Sequence, residues 1–162
     1  MNTPIWIPSV EDFMKEAKWI ERQVLEIGQD RLQDLANSAK DISIHSYAPY
    51  SKYHVGAAIL TVSGKIYVGV NAERASYSET DHAEEAAITQ GIIGGEVVGS
   101  GRRFIRAIAG TSAPCGRCRQ IIAEHCDNAV IVISDTSGII QTITSLKSIL
   151  PLAFSPSDLG IE

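Results

Sequence analysis

Two short motifs, about thirty residues apart, constrain the fold of this 162-residue chain more than any other feature. The first is His82-Ala83-Glu84, and the second is Pro114-Cys115-Gly116-Arg117-Cys118. Zinc is bound in proteins by imidazole nitrogen and thiolate sulfur, and a catalytic site keeps three protein ligands with a fourth position open to water. His82, Cys115 and Cys118 form such a set. A fold that uses them together must bring the two motifs into contact.

Length and charge limit the classes of function. A chain with 44% hydrophobic and 20% charged residues suits one globular domain with a core. The formal net charge of -5 leaves no surplus of Lys and Arg to neutralise phosphates, which argues against a nucleic acid polymer as partner. No stretch approaches the roughly 18 uninterrupted apolar residues of a membrane span, and residues 1–11 lack the pattern of a signal peptide. We therefore expect a soluble, cytoplasmic protein that acts on a small, uncharged molecule.

The cysteines indicate metal binding. Two of the three lie in the C-x-x-C motif, and Cys126 has no obvious partner, which suits metal ligation in a reducing compartment better than disulfides. A redox C-x-x-C pair is an alternative, but it leaves His-Ala-Glu unexplained. A structural zinc site is another, although it would need a fourth ligand, for which His125 and Cys126 are the nearest candidates. Cys126 is expected to be a small buried residue.

Hydrophobic periodicity predicts alternating helices and strands. Apolar residues at helical spacing predict one or two helices from Val10 to Lys40, with Gly28 as a possible break. Two apolar runs joined through Ser63-Gly64 predict a β-hairpin over 55–70. The remaining runs predict helices over 82–92, 115–125 and 145–150 and strands over 104–109, 129–134 and 139–144. This order favours an α/β layered sheet over a bundle or a sandwich.

The two motifs together are typical of zinc deaminases that act on nucleobases. If both open helices, the helix dipoles favour thiolates at Cys115 and Cys118. A zinc ion lowers the pKa of its bound water to about 7. Displacing the amine of a cytosine ring needs hydroxide at C4, a proton on N3 and a proton on the leaving nitrogen. Glu84, too close to His82 to be a comfortable fourth ligand, is predicted to be the catalytic proton shuttle.

The chain resembles the cytidine deaminase family from about Ser46 to Leu159. The matching stretches, in family order, are Tyr50–Ala58, Asn71–Glu73 with Ala75–Tyr77, His82–Glu84, Pro114–Gln120, and Leu150–Pro151 with Phe154, Pro156, Asp158 and Leu159. The resemblance implies a three-layer α/β/α fold with a mixed sheet of about five strands. It also implies a Zn²⁺ cofactor and hydrolysis of cytidine and deoxycytidine to the uracil nucleosides and ammonia. Residues 46–162 would form this catalytic domain, preceded by a helical segment over 1–45.

The same resemblance implies contacts with the substrate at individual positions. Asn71 and Glu73 match a pair that hydrogen-bonds the ribose hydroxyl. Tyr53 stands where the family usually has a phenylalanine packing against the nucleoside. The backbone of Ala83 matches a contact with the pyrimidine. A pyrimidine nucleoside is therefore the expected substrate.

Two aromatic residues match positions that act across a subunit boundary. Phe154 corresponds to an aromatic residue that reaches the base of a neighbouring subunit's ligand. Tyr77 would line the same wall from the adjacent chain. The resemblance therefore implies a homotetramer with composite active sites.

The chain departs from the short members of the family at two positions. Those members more often have Cys in place of His82, and an Arg after the glutamate where this chain has Glu85. One neutral imidazole and two thiolates leave a zinc site neutral without help from arginine, so the two substitutions look coupled. Glu85 is then expected to face solvent. A deaminase of a modified cytosine nucleoside or of an antibiotic of the blasticidin S type remains an alternative, as does an inactive module that binds zinc or a nucleoside.

Overall fold

The structure is a computed structural model and describes residues 8–100 and 102–160. Its helices are α1 (Val10–Ile27), α2 (Gln29–Ser43), α3 (Ala83–Ile93), α4 (Glu96–Ser100), α5 (Gly116–Glu124) and α6 (Leu146–Ile149). Its strands are β1 (Gly56–Thr61), β2 (Ile66–Val70), β3 (Ile105–Gly110), β4 (Val130–Ser134) and β5 (Ile140–Ser145). Short 3₁₀ turns cover Tyr77–Glu79 and Pro156–Leu159. Within the described residues, no helix has the length and apolar character needed to span a membrane.

The strands form one mixed sheet in the order β2-β1-β3-β4-β5. β1 pairs antiparallel with both β2 and β3, and β4 pairs antiparallel with β5. Only β3 and β4 run parallel in the described sheet. Parallel neighbours need a crossover connection, usually a helix. Here that connection contains α5, so the C-x-x-C motif lies at one end of the crossover.

Helices cover both faces of the sheet, which explains why every residue of β1 is buried. Because side chains alternate between faces along a strand, β1 contributes to two separate cores. Ala58 and Leu60 pack with α2 on one face, while Ala57 and Ile59 pack with α3 and α5 on the other. The predicted three-layer α/β/α fold with a mixed sheet is therefore confirmed.

Gly28 separates the first two helices, as the sequence predicts. Its backbone has φ 91°, a region that favours glycine, and its N–H donates to the Val24 carbonyl at 2.9 Å. α1 begins with a capping box in which Ser9 and Asp12 bond each other's backbone. α2 then lies on the sheet, with Leu32 and Leu35 fully buried. The division into a helical segment, residues 1–45, and a catalytic domain, residues 46–162, stays a prediction, and its ends fall outside the described residues.

One helix lies where the sequence indicated only a glycine-rich link. α4 follows α3 directly, and its Glu96 is 3% exposed. The Glu96 carboxylate accepts hydrogen bonds from the Ser63 hydroxyl at 2.8 Å and the Tyr67 hydroxyl at 3.0 Å, and it pairs with Lys65 at 3.2 Å. These contacts tie α4 to the turn and second strand of the hairpin.

Candidate active site

Both motifs stand at the first residues of helices. His82 is the N-cap of α3 and Cys115 is the N-cap of α5, each with extended backbone angles. Neither side chain bonds its own helix as a cap. Both are therefore available to a ligand placed between the two helix starts. Cys118, on the first turn of α5, is fully buried beside them.

The three predicted ligands converge with the spacing that zinc requires. Nδ1 of His82 lies 3.5 Å from Sγ of Cys115 and 3.4 Å from Sγ of Cys118. Tetrahedral zinc with bonds of about 2.0 Å to nitrogen and about 2.3 Å to sulfur places such atoms about 3.5 Å apart. All three ligand atoms lie within 4.8 Å of one another. The donor set therefore fits zinc, and neither His125 nor Cys126 belongs to the cluster.

Glu84 is buried beside the same cluster, with 6% of its surface exposed. The Cys118 thiol donates a hydrogen bond to Oε2 of Glu84 at 3.3 Å. Burial raises the pKa of the Cys118 thiol, and the negative charge of Glu84 raises it further. These effects oppose the helix dipole, from which the sequence predicted a thiolate. Zinc must therefore displace a proton from Cys118, so its affinity should rise with pH.

A cleft of about 430 Å³ opens onto this cluster. That volume lies within the range of roughly 300–1,000 Å³ found for small-molecule sites. The cleft is lined by Tyr53, Val55, Asn71, Thr80, His82, Ala83, Glu84, Ser112, Ala113 and Cys115. Of the predicted substrate-binding residues, Tyr53, Asn71 and Ala83 therefore line it. Glu73, Tyr77 and Phe154 do not.

Asn71 and Glu73 lie buried under the loop that precedes β1. The Asn71 amide accepts a hydrogen bond from the Val55 N–H and donates one to the Tyr53 carbonyl, both at 2.9 Å. The Glu73 carboxylate accepts from the Tyr50 N–H at 2.9 Å, the Ser51 N–H at 3.1 Å and the Ser51 hydroxyl. The Ser51 hydroxyl bond is the main reason that the pKa of Glu73 is lowered. Both residues hold this loop against the cleft.

Tyr77 and Phe154 are exposed and lie outside the cleft of their own chain. Tyr77 is 62% exposed and meets Tyr50 edge-on, with ring centroids 5.8 Å apart. Phe154 is 61% exposed, and its carbonyl accepts a hydrogen bond from the Gln120 amide at 2.5 Å. Neither side chain has a cleft contact in the single chain.

Sequence reasoning missed several features of the site. Thr80 and Ser112 line the cleft from loops, where short polar residues give no sequence signal. Glu85, which was expected to face solvent, instead pairs with Arg117 of the C-x-x-C motif, with Oε2 and Nη2 2.7 Å apart. That expectation was wrong because the helix phase turns Glu85 toward the start of α5. Cys126 is buried, as predicted.

A family model described as the cytidine and deoxycytidylate deaminase zinc-binding region matches residues 29–134. The match spans more than half of the chain and includes both motifs. The chain belongs to this family. Zinc is accordingly the cofactor, as the sequence predicted, and the arrangement of its donors supports the same conclusion.

The chain is similar to several known proteins over most of their length. A cytidine deaminase of Sporosarcina psychrophila is 38% identical over 136 residues, which cover 80% of this chain and 95% of that protein. One of Halalkalibacterium halodurans is 37% identical over 122 residues, which cover 71% and 87%. The crystal structure of a cytidine deaminase from Burkholderia pseudomallei superimposes with a TM-score of 0.67 at 34% identity, covering 75% of this chain and 97% of that one. Family membership thus rests on sequence and fold together.

Proposed function

We propose that the protein is a zinc-dependent hydrolase that converts cytidine and deoxycytidine to uridine and deoxyuridine with release of ammonia. One observation carries the proposal: three zinc donors and a buried carboxylate, Glu84, open onto a single cleft of nucleoside size. The likeness to proteins named cytidine deaminase supports the choice of base. His82, Cys115 and Cys118 would hold the ion.

Glu84 would carry two protons during the reaction. When bound, zinc supplies Lewis acidity that brings the pKa of water to about 7. The Glu84 carboxylate accepts the first proton of the attacking water and delivers it to N3 of the ring as the oxygen bonds to C4. It then transfers the second proton to the amino nitrogen, and the bond from C4 to that nitrogen breaks. Water and cytidine thereby become uridine and ammonia. A buried carboxylate suits this role because it exchanges protons with little competition from solvent.

Asn71 and Glu73 would bind the sugar. The Asn71 amide has four hydrogen-bonding positions, and the loop uses two of them. The Glu73 carboxylate has about four lone pairs, and the loop uses three. Asn71, which lines the cleft, therefore keeps capacity for a ribose hydroxyl. Glu73 keeps capacity as well, and it would reach the sugar from behind the cleft lining. Tyr53 would pack against the nucleoside and the Ala83 backbone would contact the pyrimidine.

The enzyme would work as a homotetramer with composite active sites. Tyr77 and Phe154 are large, exposed and outside the lining of their own cleft, which supports a role in a neighbour's site. A cytoplasmic location stays a prediction.

Absorbance of the cytosine ring tests the proposed reaction. Purified protein with one zinc per chain is incubated with cytidine or deoxycytidine, beside a Glu84→Gln variant loaded with zinc. Wild type should remove the cytosine band, and Glu84→Gln should lower kcat by about 1,000-fold because the amide cannot shuttle protons. Glu124→Gln, an exposed glutamate at the far end of α5, is the matched control and should keep full activity.

Other outcomes would separate the alternatives. Zinc-loaded wild type without turnover would exclude cytidine and deoxycytidine, and modified cytosine nucleosides and blasticidin S would be assayed next. Inactivity on all of them, with nucleoside still bound, would indicate a binding module. Full activity of Glu84→Gln would exclude Glu84 as the proton shuttle.

A further inference from the structure

A second contact joins the two helices that carry the zinc donors. Glu85 is the third residue of α3 and Arg117 the second residue of α5, so both lie in first turns. Nη2 of Arg117 lies 2.7 Å from Oε2 of Glu85, a buried oxygen that accepts no hydrogen bond, so the contact is a charge pair. Each is next in sequence to a residue that faces the cluster, Glu84 in α3 and Cys118 in α5. The Cys118 to Glu84 hydrogen bond on the inner side is thus matched by an ion pair on the outer side.

We propose that Glu85 and Arg117 are a positioning pair that fixes the separation of the α3 and α5 starts, and so keeps the three zinc ligands at binding distance. Arg117 lies between the two cysteine ligands, and Glu85 lies one helical turn after His82. Any shift of one helix start against the other would change the distance from Nδ1 of His82 to both sulfur atoms. The proposal rests on the zinc site of the proposed function, but metal affinity tests it independently of turnover.

The charges of the pair explain why both partners are needed. A cation in the first turn of a helix is unfavourable, because the N-terminal end of the helix carries partial positive charge. Glu85 offsets this cost at Arg117 and is itself favourably placed at the start of α3. Two thiolates already balance Zn²⁺, so an unpaired Glu85 or Arg117 would add an uncompensated charge beside the site.

Because the pair is partly exposed, its effect on zinc affinity can be distinguished from its effect on folding stability. The side chains of Glu85 and Arg117 are 32% and 49% exposed. Oε2 of Glu85 is itself buried, but half of the Arg117 side chain is in solvent, so the pair should contribute little to the free energy of unfolding. Partners outside the ligand set, in contrast, commonly change metal affinity by about 10-fold or more when removed.

Zinc affinity of the full chain, measured by competition with a chromophoric chelator, tests the pair. Four proteins are compared: wild type, Glu85→Gln, Arg117→Gln and the charge-swapped E85R/R117E. Each single variant should bind zinc about 10-fold more weakly, and the swap should recover most of the loss. Thermal unfolding midpoints of the zinc-loaded proteins should fall by no more than the weaker zinc binding accounts for. Should the swap fail to fold, Arg117→Lys replaces it and should retain more affinity than Arg117→Gln.

The single variants also distinguish a pair from a long-range charge effect. Arg117→Gln removes a positive charge and Glu85→Gln a negative one, so charge alone would shift zinc affinity in opposite directions. Opposite shifts, or no shift in either variant, would overturn the proposal. Arg103→Gln is the matched control, since Arg103 pairs with Asp127 at 2.7 Å beyond the end of α5 and should leave affinity unchanged. The same shifts in a protein without turnover would reject the deaminase function and keep the positioning pair.

Discussion

His125 is a half-buried imidazole just after α5. Its ring centroid lies 5.1 Å from that of Phe104, and its Nδ1 lies 3.3 Å from the Arg102 carbonyl oxygen, to which it donates. Burial lowers the pKa of His125, although the Arg102 carbonyl acts in the opposite direction. In the unfolded chain the pKa of a histidine is about 6.5. As the pH falls through that value the unfolded chain takes up a proton before the folded one, so stability falls until the pH has passed the lower pKa of the folded state.

Replacing His125 should therefore flatten the pH dependence of stability. His125→Gln is expected to lose less unfolding free energy than wild type between about pH 7.5 and pH 5.5. Urea denaturation of both zinc-loaded proteins at the two pH values measures this difference. All other groups are the same in both proteins, so their contributions cancel in the comparison. Equal losses would show that His125 does not couple folding to protonation.

Individual residues show which parts of the site the sequence could predict. Imidazole, thiolate and carboxylate have few uses at the spacing of the two motifs, so the zinc donors could be inferred directly. The ion pair of Glu85 with Arg117 could not, because it depends on how two helices rotate about their axes. Thr80 and Ser112 reach the cleft through loop paths that their residue types do not specify.

Among the elements, α3 packs directly against β2. A side-chain carbon at Gly69 would overlap the backbone of α3 at Ala83 and Ala87. Only glycine allows this approach. The contact sets the height of the α3 start above the sheet, and with it the position of His82 and Glu84.

Gly69→Ala should therefore damage both stability and metal binding. The added methyl meets backbone that cannot yield, so we expect a loss of about 3 kcal/mol in unfolding free energy, at the upper end for overpacking. Zinc affinity should fall as well, because the α3 start must move. Denaturant unfolding and chelator competition measure the two effects. Ile66→Ala, on the same strand with a 38% exposed side chain, is the control and should change neither greatly.

Among the described residues, the sequence predicted every strand and every α-helix except α4. The hairpin, the later strands and the start of α1 agree with the sequence prediction to within about two residues, the usual uncertainty of element ends. α2 ends three residues beyond the predicted Lys40. α4 was missed because its five residues, bordered by glycines, are too few for a period to emerge. Its Glu96 is recognisable only from three-dimensional contacts with the hairpin.

At the scale of the whole molecule, Tyr77 and Phe154 do not line the cleft of their own chain. In an assembly they would line the cleft of a neighbouring chain. Light scattering should therefore report about four times the 17.5 kDa of one chain.

Phe154→Ala should raise KM for cytidine while zinc remains bound. Co-assembly of Phe154→Ala with Glu84→Gln chains should give more activity than the average of the separate proteins, because some sites would then combine intact residues from both. A monomeric mass at micromolar concentration would exclude composite sites.

The distance between the two motifs along the chain has a thermodynamic consequence. His82 and Cys115 are 33 positions apart in sequence, yet their ligand atoms lie 3.5 Å apart. Closing a flexible loop of that length costs about 3 kcal/mol in chain entropy. In the folded protein the sheet has already closed it, so the imidazole stands at a high effective concentration beside the two sulfur atoms. A peptide with the C-x-x-C motif alone would hold zinc through two donors, and the third is a property of the folded chain.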